Sequence, residues 1–369
     1  MREVVPESIA RLPWKLYGLL TAIALFGATV LYSAAGGHIM PWAGMQLARF
    51  LIFVVMVEIV SRLPLKLVRD FTFPAYGALL IALVLVEVLG KVTGGSQRWI
   101  NLGFMQFQPS ELMKVAIVLA VARFYSILPI GQVRTVNAIW PALALIGLPA
   151  ALVLLQPDLG TAMMIAAGGV VVMFLAGLPL RLFIGTALAG AAIVPVAFSF
   201  LHDYQKNRIL IFMDPESDPL GTGYHISQSK IAIGSGGIFG KGFLMGTQSH
   251  LDYLPEGHTD FVFATMAEEW GMLGGIGIIC AMFLLIRWGM RVAQRTEDRY
   301  ARLVAAGLAA TIFFYVAINL MMVMGLAPVV GIPLPFMSYG GSSMLTVMLC
   351  IGIIRNIDRN HDKLTGRWG

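Results

Sequence analysis

Charged residues are scarce in this 369-residue chain, where Asp, Glu, Lys and Arg together make up 12%. That is about half their usual share in soluble proteins. Hydrophobic residues make up 58% and the mean hydropathy is +0.79, so the composition excludes a soluble globular domain and favours a polytopic membrane protein. The net charge of +6 does not indicate nucleic-acid binding, because most basic residues lie in short segments between hydrophobic runs.

Cysteine is also rare, which excludes a disulfide framework. Cys280 and Cys350 both lie in apolar runs and are expected to be small buried side chains. A cleavable signal peptide is not indicated either. The run from Leu16 is long enough to span a bilayer and lacks a cleavage site, so it is predicted to be a retained first helix.

Long hydrophobic runs are what the chain has in abundance. A membrane-spanning helix needs about 20 mostly apolar residues, and runs without period-two alternation favour helices over strands. The sequence therefore predicts an all-α polytopic fold in one integral-membrane domain, residues 1–369, with about ten spans. These are 16–35, 44–60, 73–90, 110–126, 139–155, 161–178, 181–201, 261–286, 302–326 and 343–357.

The basic residues predict the orientation of these spans. If the N-terminus is cytoplasmic, the inner segments carry eighteen of the 26 Lys and Arg residues, and the short outer loops 36–43 and 327–342 carry none. The positive-inside rule then places both termini in the cytoplasm. Three polar segments, 91–111, 202–260 and 327–342, are predicted to meet on the outer face, as an active site or entry mouth requires.

The large outer loop between the seventh and eighth spans, 202–260, ends in Pro255-Glu256-Gly257-His258-Thr259-Asp260. At a helix start, Asp260 could simply cap backbone amides, which would lower its pKa. A cleft poor in water, or nearby Glu256, would raise the pKa and favour a functional acid. Both interpretations stay open at this stage.

Two other stretches of this loop resemble ligand-binding motifs and fail on spacing. Residues 214–221 lack the glycine and glutamate positions of a calcium loop, so prolines and turn-forming acids explain them better. The glycine-rich stretch 234–242 does not match a phosphate loop, although its amides could form an anion-binding nest. Between them, Tyr224 to Ile233 has near-helical spacing, which predicts a short helix on the membrane surface.

Further charges are predicted within or beside the membrane. Glu268 and Glu269 lie in the eighth span, where they are expected either to be a buried structural pair or to face a cavity. Glu111 and Lys114 share a helix face and could neutralise one another. Alternatively, Lys114 in an outward cavity would bind a phosphate, with Arg98 at the rim.

Two further residues predicted on the outer face, Trp99 and Asp158, also have structural interpretations. Trp99 is either a site residue or an interfacial anchor. Asp158, in the turn Gln156 to Gly160, is predicted to cap the sixth span.

Several motifs together resemble the SEDS proteins (shape, elongation, division and sporulation). They are Gln97-Arg98-Trp99, Gln108 to Glu111, Gln156 to Gly160, Asp203-Tyr204-Gln205, Asp214 to Gly221, Gly223-Tyr224-His225, His258 to Phe261, Asn319 with Gly325 to Pro328, and Gly331 to Ser343. The similarity runs from the first span to the last, and the loops are most similar to those of the elongation branch. One departure is Trp270, where relatives commonly carry leucine.

The resemblance implies a peptidoglycan glycosyltransferase of the bacterial cytoplasmic (inner) membrane that acts in elongation and contributes to rod cell shape. Such proteins polymerise lipid II, release undecaprenyl diphosphate, and work with a class B penicillin-binding protein within the elongation machinery. The family's essential acid maps onto Asp260. A lipid II flippase, or a scaffold for cell-wall assembly, is the alternative.

The chemistry of an inverting displacement fits this assignment. It needs a base near the incoming hydroxyl and positive charge near the departing diphosphate. We assign Asp260 as the base or acceptor-orienting group. Residues assigned to substrate binding are Arg98, Trp99, Glu111, Lys114, Arg208, Lys230, His258 and Ser338. No dedicated metal cage is evident, although a divalent cation such as Mg or Mn could bind with Asp260 as a ligand.

Overall fold

The computed structural model describes residues 13–89, 91–93, 96–101, 106–200, 203–214, 221–251, 253–254 and 256–364. Its elements in chain order are α1 (Trp14–Ala34), α2 (Trp42–Arg62), α3 (Leu65–Asp70), α4 (Thr72–Leu89), β1 (Lys91–Thr93), β2 (Ser96–Asn101), β3 (Gln106–Phe107), α5 (Pro109–Ile127), α6 (Val136–Leu155), α7 (Leu159–Ala176), α8 (Leu180–Phe200), α9 (Asp203–Met213), α10 (Thr222–Gly236), α11 (Thr247–His250), α12 (Val262–Arg295), α13 (Arg299–Val323) and α14 (Gly341–Leu364). The helical class predicted from the long apolar runs is confirmed.

Each of the ten predicted spans falls on one helix of this series. Six helices, α1, α2, α6, α7, α12 and α13, are long and apolar enough to cross a membrane, so the chain is a multi-pass membrane protein. Helices α4 and α8 contain shorter apolar stretches, Thr72–Val86 and Leu180–Ile193. Helices α5 and α14 carry several charged side chains, such as Glu111 and Arg355. Membrane crossing by these four stays a prediction.

A small antiparallel sheet and one turn of 3-10 helix at Ile130–Gln132 lie outside the all-α expectation. Strands β1 and β2 pair with Lys91 opposite Trp99, and β2 and β3 pair with Ile100 opposite Phe107. The prediction read 91–111 only as a polar loop. Strands β1 and β3 are only three and two residues long, and the six residues of β2, Ser-Gln-Arg-Trp-Ile-Asn, do not alternate between polar and apolar. The sheet brings the chain to Pro109, which suits the first turn of α5.

Side-chain caps begin two of the central helices. The Asp158 carboxylate accepts a hydrogen bond from the Thr161 N–H at 3.0 Å, and Asp298 accepts one from Ala301 at 2.8 Å. The predicted capping role of Asp158 is confirmed. Each cap satisfies one backbone donor that would otherwise lack a partner at a helix start.

Helix α13 lies at the centre of the bundle. It packs against α5, α7, α12 and α14, and buried side chains follow it from Tyr300 to Val323. Small residues permit the close packing: a Cβ added at Gly307 would lie 2.6 Å from Val118 and 2.7 Å from Val172. Polar groups on α13 are therefore held at fixed positions inside the protein.

Helix α12 is broken at Gly271, whose φ of +63° lies in the left-handed region that glycine adopts readily. The segment 237–242 packs into this break. Met272 and Leu273 donate hydrogen bonds to the carbonyls of Gly237 and Ile238, at 2.9 and 3.2 Å. A Cβ added at Gly271 would meet the backbone of Ile238. We call residues 237–242 the inserted segment.

The two glutamates before the break hold the chain around the inserted segment. Glu268 is fully buried, lies 2.6 Å from Lys241 Nζ, and accepts hydrogen bonds from the N–H groups of Thr247 and Gln248 at 2.9 and 3.0 Å. Glu269 accepts a hydrogen bond from the Ser33 hydroxyl on α1. These contacts favour the structural interpretation of the pair.

The predicted helix at Tyr224–Ile233 is α10, but it does not lie freely on a membrane surface. Ser229 is buried and donates to the Val323 carbonyl of α13 at 2.7 Å. A Cβ at Gly236 would collide with the Ala267 carbonyl of α12. Helix α10 is thus part of the packed bundle.

Candidate active site

Asp260 stands directly before α12 and does not cap it. The helix begins at Val262 after Phe261, and no side-chain hydrogen bond closes this end. Among the described residues, no cation lies within ion-pair distance of the Asp260 carboxylate. The capping interpretation is therefore wrong for its side chain, and the carboxylate remains available for another task.

The backbone of Asp260 is fixed by Asn319 on α13. The Asn319 amide donates to the Asp260 carbonyl at 2.8 Å and to the Ile332 carbonyl at 2.7 Å. Asn319 is fully buried, so both bonds are shielded from competing water. One side chain thus joins the end of the large loop to the proline-rich segment 327–342.

Glycine brings that proline-rich segment close to the acid. Gly331 has a φ of +67°, and a Cβ added there would lie 3.2 Å from Asp260 Oδ2. The neighbouring Val330 carbonyl would lie 2.7 Å from a Cβ at Gly160, beside the Asp158 turn. Gln108 in turn donates to Asp158 at 3.3 Å. Residues from all three predicted polar segments thus form one contact series ending at Asp260.

The surroundings of Asp260 raise the pKa of its carboxyl group. Burial and, as the smaller effect, the negative charge of Glu256 together raise it to about 6, because both disfavour the ionised form. Glu256 itself has a φ of +56° and accepts a hydrogen bond from the Thr259 hydroxyl at 2.5 Å. A carboxyl with a pKa near 6 can exchange a proton close to neutral pH.

An aromatic stack borders the acid. The His258 ring lies on Trp42 of α2, with ring centroids 3.9 Å apart and planes 8° from parallel. The His258 carbonyl accepts a hydrogen bond from the Tyr339 N–H at 2.8 Å. Burial lowers the pKa of His258, while the negative charge of Glu256 acts in the opposite direction as the smaller effect, so the net shift favours the neutral imidazole.

Arg49 completes this border. Its guanidinium carbon lies 4.8 Å from the centre of the Tyr339 ring, and one nitrogen lies 3.3 Å from the Tyr339 hydroxyl. Within the described residues it forms no salt bridge. A guanidinium held by an aromatic face keeps several donors free, and such a fork suits phosphate oxygens.

Lys114 and Glu111 form a closed, buried cluster with Tyr315. Lys114 Nζ is 2.5 Å from Glu111 and 3.0 Å from the Tyr315 hydroxyl, and only 1% of the lysine is exposed. Tyr315 also donates to Glu111. Tyr315 precedes Asn319 by one helical turn on the same face of α13, so the cluster lies one turn from the side chain that holds the Asp260 carbonyl.

The remaining predicted substrate-binding residues have separate positions. Ser338 is buried, and its hydroxyl accepts a hydrogen bond from the Leu334 N–H at 2.8 Å, so it stabilises its own loop. Lys230 is exposed on α10 and approaches Gly325. Trp99 is half-buried in β2. The side chains of Arg98 and Arg208 lie outside the described residues.

A metal site made by protein ligands alone is not evident in the described part of the chain, where no group of three or more His, Cys, Asp or Glu side chains is close enough to hold an ion. Asp260 with Glu256 nearby supplies two carboxylates at most. A divalent cation here would need oxygens from the substrate as further ligands. The predicted cation therefore stays a prediction.

Sequence reasoning missed Trp42, Arg49 and Tyr315. Arg49 and Tyr315 lie inside predicted apolar spans, where an arginine resembles a topology signal and a tyrosine an ordinary core side chain. Trp42 lies in the predicted loop 36–43, where a tryptophan resembles an interfacial anchor. Arg49 did carry a usable signal, because it lies inside the predicted span 44–60 and not beside either of its ends. Only the packing of α2 against the segment 336–339 shows what it contacts.

Known proteins resemble this chain over nearly its whole length. Residues 8–363 match the family model FTSW_RODA_SPOVE, described as cell cycle protein. The peptidoglycan glycosyltransferase MrdB of Escherichia coli K12 is 42% identical over 353 residues, covering 94% of this chain and 93% of that protein.

Solved structures resemble the whole bundle. One chain, from a study of the structural coordination of polymerization and crosslinking by a peptidoglycan synthase complex, superposes with a TM-score of 0.82 at 32% identity. The rod shape determining protein RodA of Thermus thermophilus superposes with a TM-score of 0.71 at 29% identity. Both matches cover 95% of this chain and 98% of the other. The chain belongs to the FtsW/RodA/SpoVE family of cell cycle proteins.

Proposed function

We propose that this protein is a peptidoglycan glycosyltransferase that polymerises lipid II during cell elongation. The observation that carries the proposal is the environment of Asp260, a half-buried acid with a pKa of about 6 at the meeting point of three polar segments. The similarity to MrdB, whose name states this activity, extends over nearly the whole chain.

The chemistry is a single displacement. The acceptor 4-hydroxyl oxygen attacks the anomeric carbon of the donor sugar, and the bond from that carbon to the diphosphate oxygen breaks. The hydroxyl proton passes to the Asp260 carboxylate, and undecaprenyl diphosphate leaves with the bonding electrons. A base with a pKa near 6 is ionised at pH 7 and can still accept a proton as the new bond forms.

Positive charge must stabilise the departing diphosphate. Lys114 contacts Glu111 and is almost fully buried, which makes it a weak candidate for direct contact. Arg49 is a stronger one, because its guanidinium is uncompensated in the described residues and lies on the aromatic border of the site. Arg98, Arg208 and Lys230 remain candidates, because each is a basic residue in a polar segment that is predicted to lie on the outer face.

The cellular setting follows from the predicted spans and from the distribution of basic residues. With ten spans and the basic segments in the cytoplasm, the Asp260 site faces the outside of the bacterial inner membrane. The partner is a class B penicillin-binding protein that cross-links the product. The likeness to a chain from a peptidoglycan synthase complex supports such a partner.

A divalent cation bound by Asp260 and the diphosphate would assist the leaving group, and the loss of polymer on addition of EDTA tests this directly.

The deciding experiment incubates purified protein and its penicillin-binding partner with labelled lipid II, with the transpeptidase site blocked. We expect glycan polymer from the unmodified protein and a loss of at least a hundredfold with Asp260→Ala. Asp298→Ala, which removes a helix cap far from the site, is the matched control. Equal polymer from Asp260→Ala would remove the catalytic assignment.

Flippase activity is the other outcome of this experiment. Transfer of labelled lipid II across vesicles without any polymer would support the flippase instead. A protein that neither polymerises nor moves lipid II would be a scaffold.

A further inference from the structure

Arginines from three helices gather around the buried side chain of Tyr300, on the side of the bundle that is predicted to be cytoplasmic. Only 1% of Tyr300 is exposed, and its hydroxyl lies 2.8 Å from the Thr72 hydroxyl. The guanidinium carbon of Arg69, on α3, lies 5.1 Å from the centre of the Tyr300 ring. Arg123, on α5, is close enough to interact electrostatically with Tyr300.

The start of α13 supplies two further arginines. Arg299 donates a hydrogen bond to the Leu128 carbonyl at 2.7 Å, which joins α13 to the end of α5. Arg302 is exposed and close enough to Arg299 for the two charges to repel one another. Both belong to the first four residues of α13, where the helix dipole also disfavours positive charge. We call Arg69, Arg123, Arg299 and Arg302 the arginine cluster.

Acidic side chains compensate little of this charge. Arg69 lies 2.6 Å from Asp298, whereas the other three arginines of the cluster form no salt bridge with any described residue. The nearest further acids in sequence, Asp70 and Glu297, are exposed and likewise form no salt bridge within the described part of the chain. The Arg69 Nε atom is buried and has no hydrogen-bond partner there. The cluster therefore holds donors that await an anion.

A second group of arginines, at the ends of α2 and α14, is balanced by acids. Arg62 and Arg359 lie 2.8 and 3.9 Å from Glu58, and Arg355 lies 3.1 Å from Asp358. Both groups are predicted to be cytoplasmic, and the positive-inside rule accounts for basic residues there. That rule does not require arginines to lie together without acids, so it does not explain the arginine cluster.

Exposed apolar side chains adjoin the cluster. Phe71 and Phe73, on either side of Thr72, are 60% and 40% exposed, and Ile127, next to Leu128, is 62% exposed. Acyl chains would cover such side chains, and a soluble anion would not. The guanidinium fork in turn matches the oxygens of a phosphate group. Charge and apolar surface together fit an amphiphile with a phosphate headgroup.

We propose that the arginine cluster binds the phosphate headgroup of an anionic phospholipid from the cytoplasmic leaflet, such as phosphatidylglycerol. Basic pockets between transmembrane helices on this side of a membrane suit such headgroups. Arg302 lies seventeen residues before Asn319 on α13, about 25 Å away at 1.5 Å per residue. The lipid site is therefore separate from the Asp260 site and independent of the proposed function.

The first measurement tests the preference for lipid charge. The purified full-length protein in detergent is titrated with phosphatidylglycerol or with phosphatidylcholine, and the bound lipid is counted by native mass spectrometry. We expect phosphatidylglycerol to bind at least tenfold more tightly, because an arginine near the membrane surface contributes about fivefold and several are uncompensated. Equal affinity for the two lipids would overturn the proposal.

The second measurement locates the site. Arg123→Gln and Arg302→Gln should each weaken phosphatidylglycerol binding about fivefold, and Arg302→Lys, which keeps the charge, should weaken it less. Arg62→Gln and Arg359→Gln are the matched controls and should change the affinity less than twofold. An equal fall in the controls would mean that only net charge matters, and it would overturn the site.

Two competition arms separate the lipid from other anions. Inorganic phosphate, added at constant ionic strength, should not displace bound phosphatidylglycerol. Displacement by phosphate would indicate a site for a soluble anion and overturn the lipid. Poly-glutamate represents an acidic segment of a cytoplasmic protein. If it binds to the cluster and phosphatidylglycerol does not displace it, the proposal fails in favour of a protein partner.

Folding of the variants is checked by their melting temperatures. Where a variant does not fold, a photoactivatable phosphatidylglycerol on the unmodified protein in vesicles decides. We expect labelled peptides from 65–73, 123–128 and 296–302, and unlabelled phosphatidylglycerol should suppress this labelling more than phosphatidylcholine. Labelling confined to other peptides would overturn the proposal.

Discussion

The side-chain amide of Asn319 binds the backbone carbonyl of Asp260 at 2.8 Å. Its second hydrogen bond reaches Ile332, in the segment that places Gly331 beside the Asp260 carboxylate. The position of the acid therefore depends on a buried amide in a different helix. One turn below, Tyr315 contacts Glu111 and Lys114.

Asn319→Leu should lower kcat at least tenfold with a change in KM below about threefold, because it leaves two buried carbonyls without their donor and lets Asp260 move. Steady-state polymerisation of lipid II measures this. Asn356→Leu is the control, since Asn356 binds the carbonyls of Val60 and Leu63 in the same manner at the other end of the bundle. A similar loss of kcat in both variants, with similar melting temperatures, would mean a general effect on stability.

The rate of polymerisation should follow the ionisation of Asp260. Its pKa of about 6 predicts that kcat/KM rises roughly tenfold per pH unit below pH 6 and levels off above it. Glu256→Gln removes one charge that raises this pKa, so the acid limb should shift to lower pH. Thr259→Ser keeps the charges and is the control. An unchanged limb in Glu256→Gln would exclude Asp260 as the group that is titrated.

Stability should show the opposite dependence at the same residue. Because folding raises the pKa of Asp260 from 3.8 to about 6, the folded state favours the protonated acid. Its contribution is fully present below pH 3.8 and is lost as pH rises through 6. Asp260→Asn should therefore raise the melting temperature at pH 8, by roughly 2 °C, and leave it nearly unchanged at pH 4. A destabilised Asp260→Asn at pH 8 would contradict the burial of this carboxyl.

The Glu111–Lys114 pair should behave as a unit. Lys114→Met leaves a buried carboxylate without its cation and should destabilise the protein by about 3 kcal/mol or more. The double variant Lys114→Met with Glu111→Gln should recover most of that loss, because the uncompensated charge is gone. Thermal unfolding in detergent measures both. Equal destabilisation in the single and double variants would mean that volume matters more than charge.

Much of the fold follows from local properties of the sequence. Runs of about 20 apolar residues require helices in a bilayer, so all ten predicted spans fall on helices, and Asp158 caps the sixth as its position predicts. The small sheet at 91–107 was missed because two of its strands are only two or three residues long and the third, Ser96–Asn101, does not alternate between polar and apolar residues. The break in α12 was missed because a glycine inside an apolar run gives no sign of the chain that will fill it.

The sequence by itself determined that the protein is helical and multi-pass, and that Asp260 ends a polar loop beside a helix. Tertiary structure decided what Asp260 is: it is not a helix cap, because α12 begins beyond it, and its pKa is raised by burial and by Glu256. Tertiary structure also enclosed Lys114 with Glu111 and Tyr315 and left Arg49 on the aromatic border of the site. These properties depend on contacts between residues up to about 300 positions apart, such as Arg49 and Tyr339. Local sequence preferences do not encode such contacts.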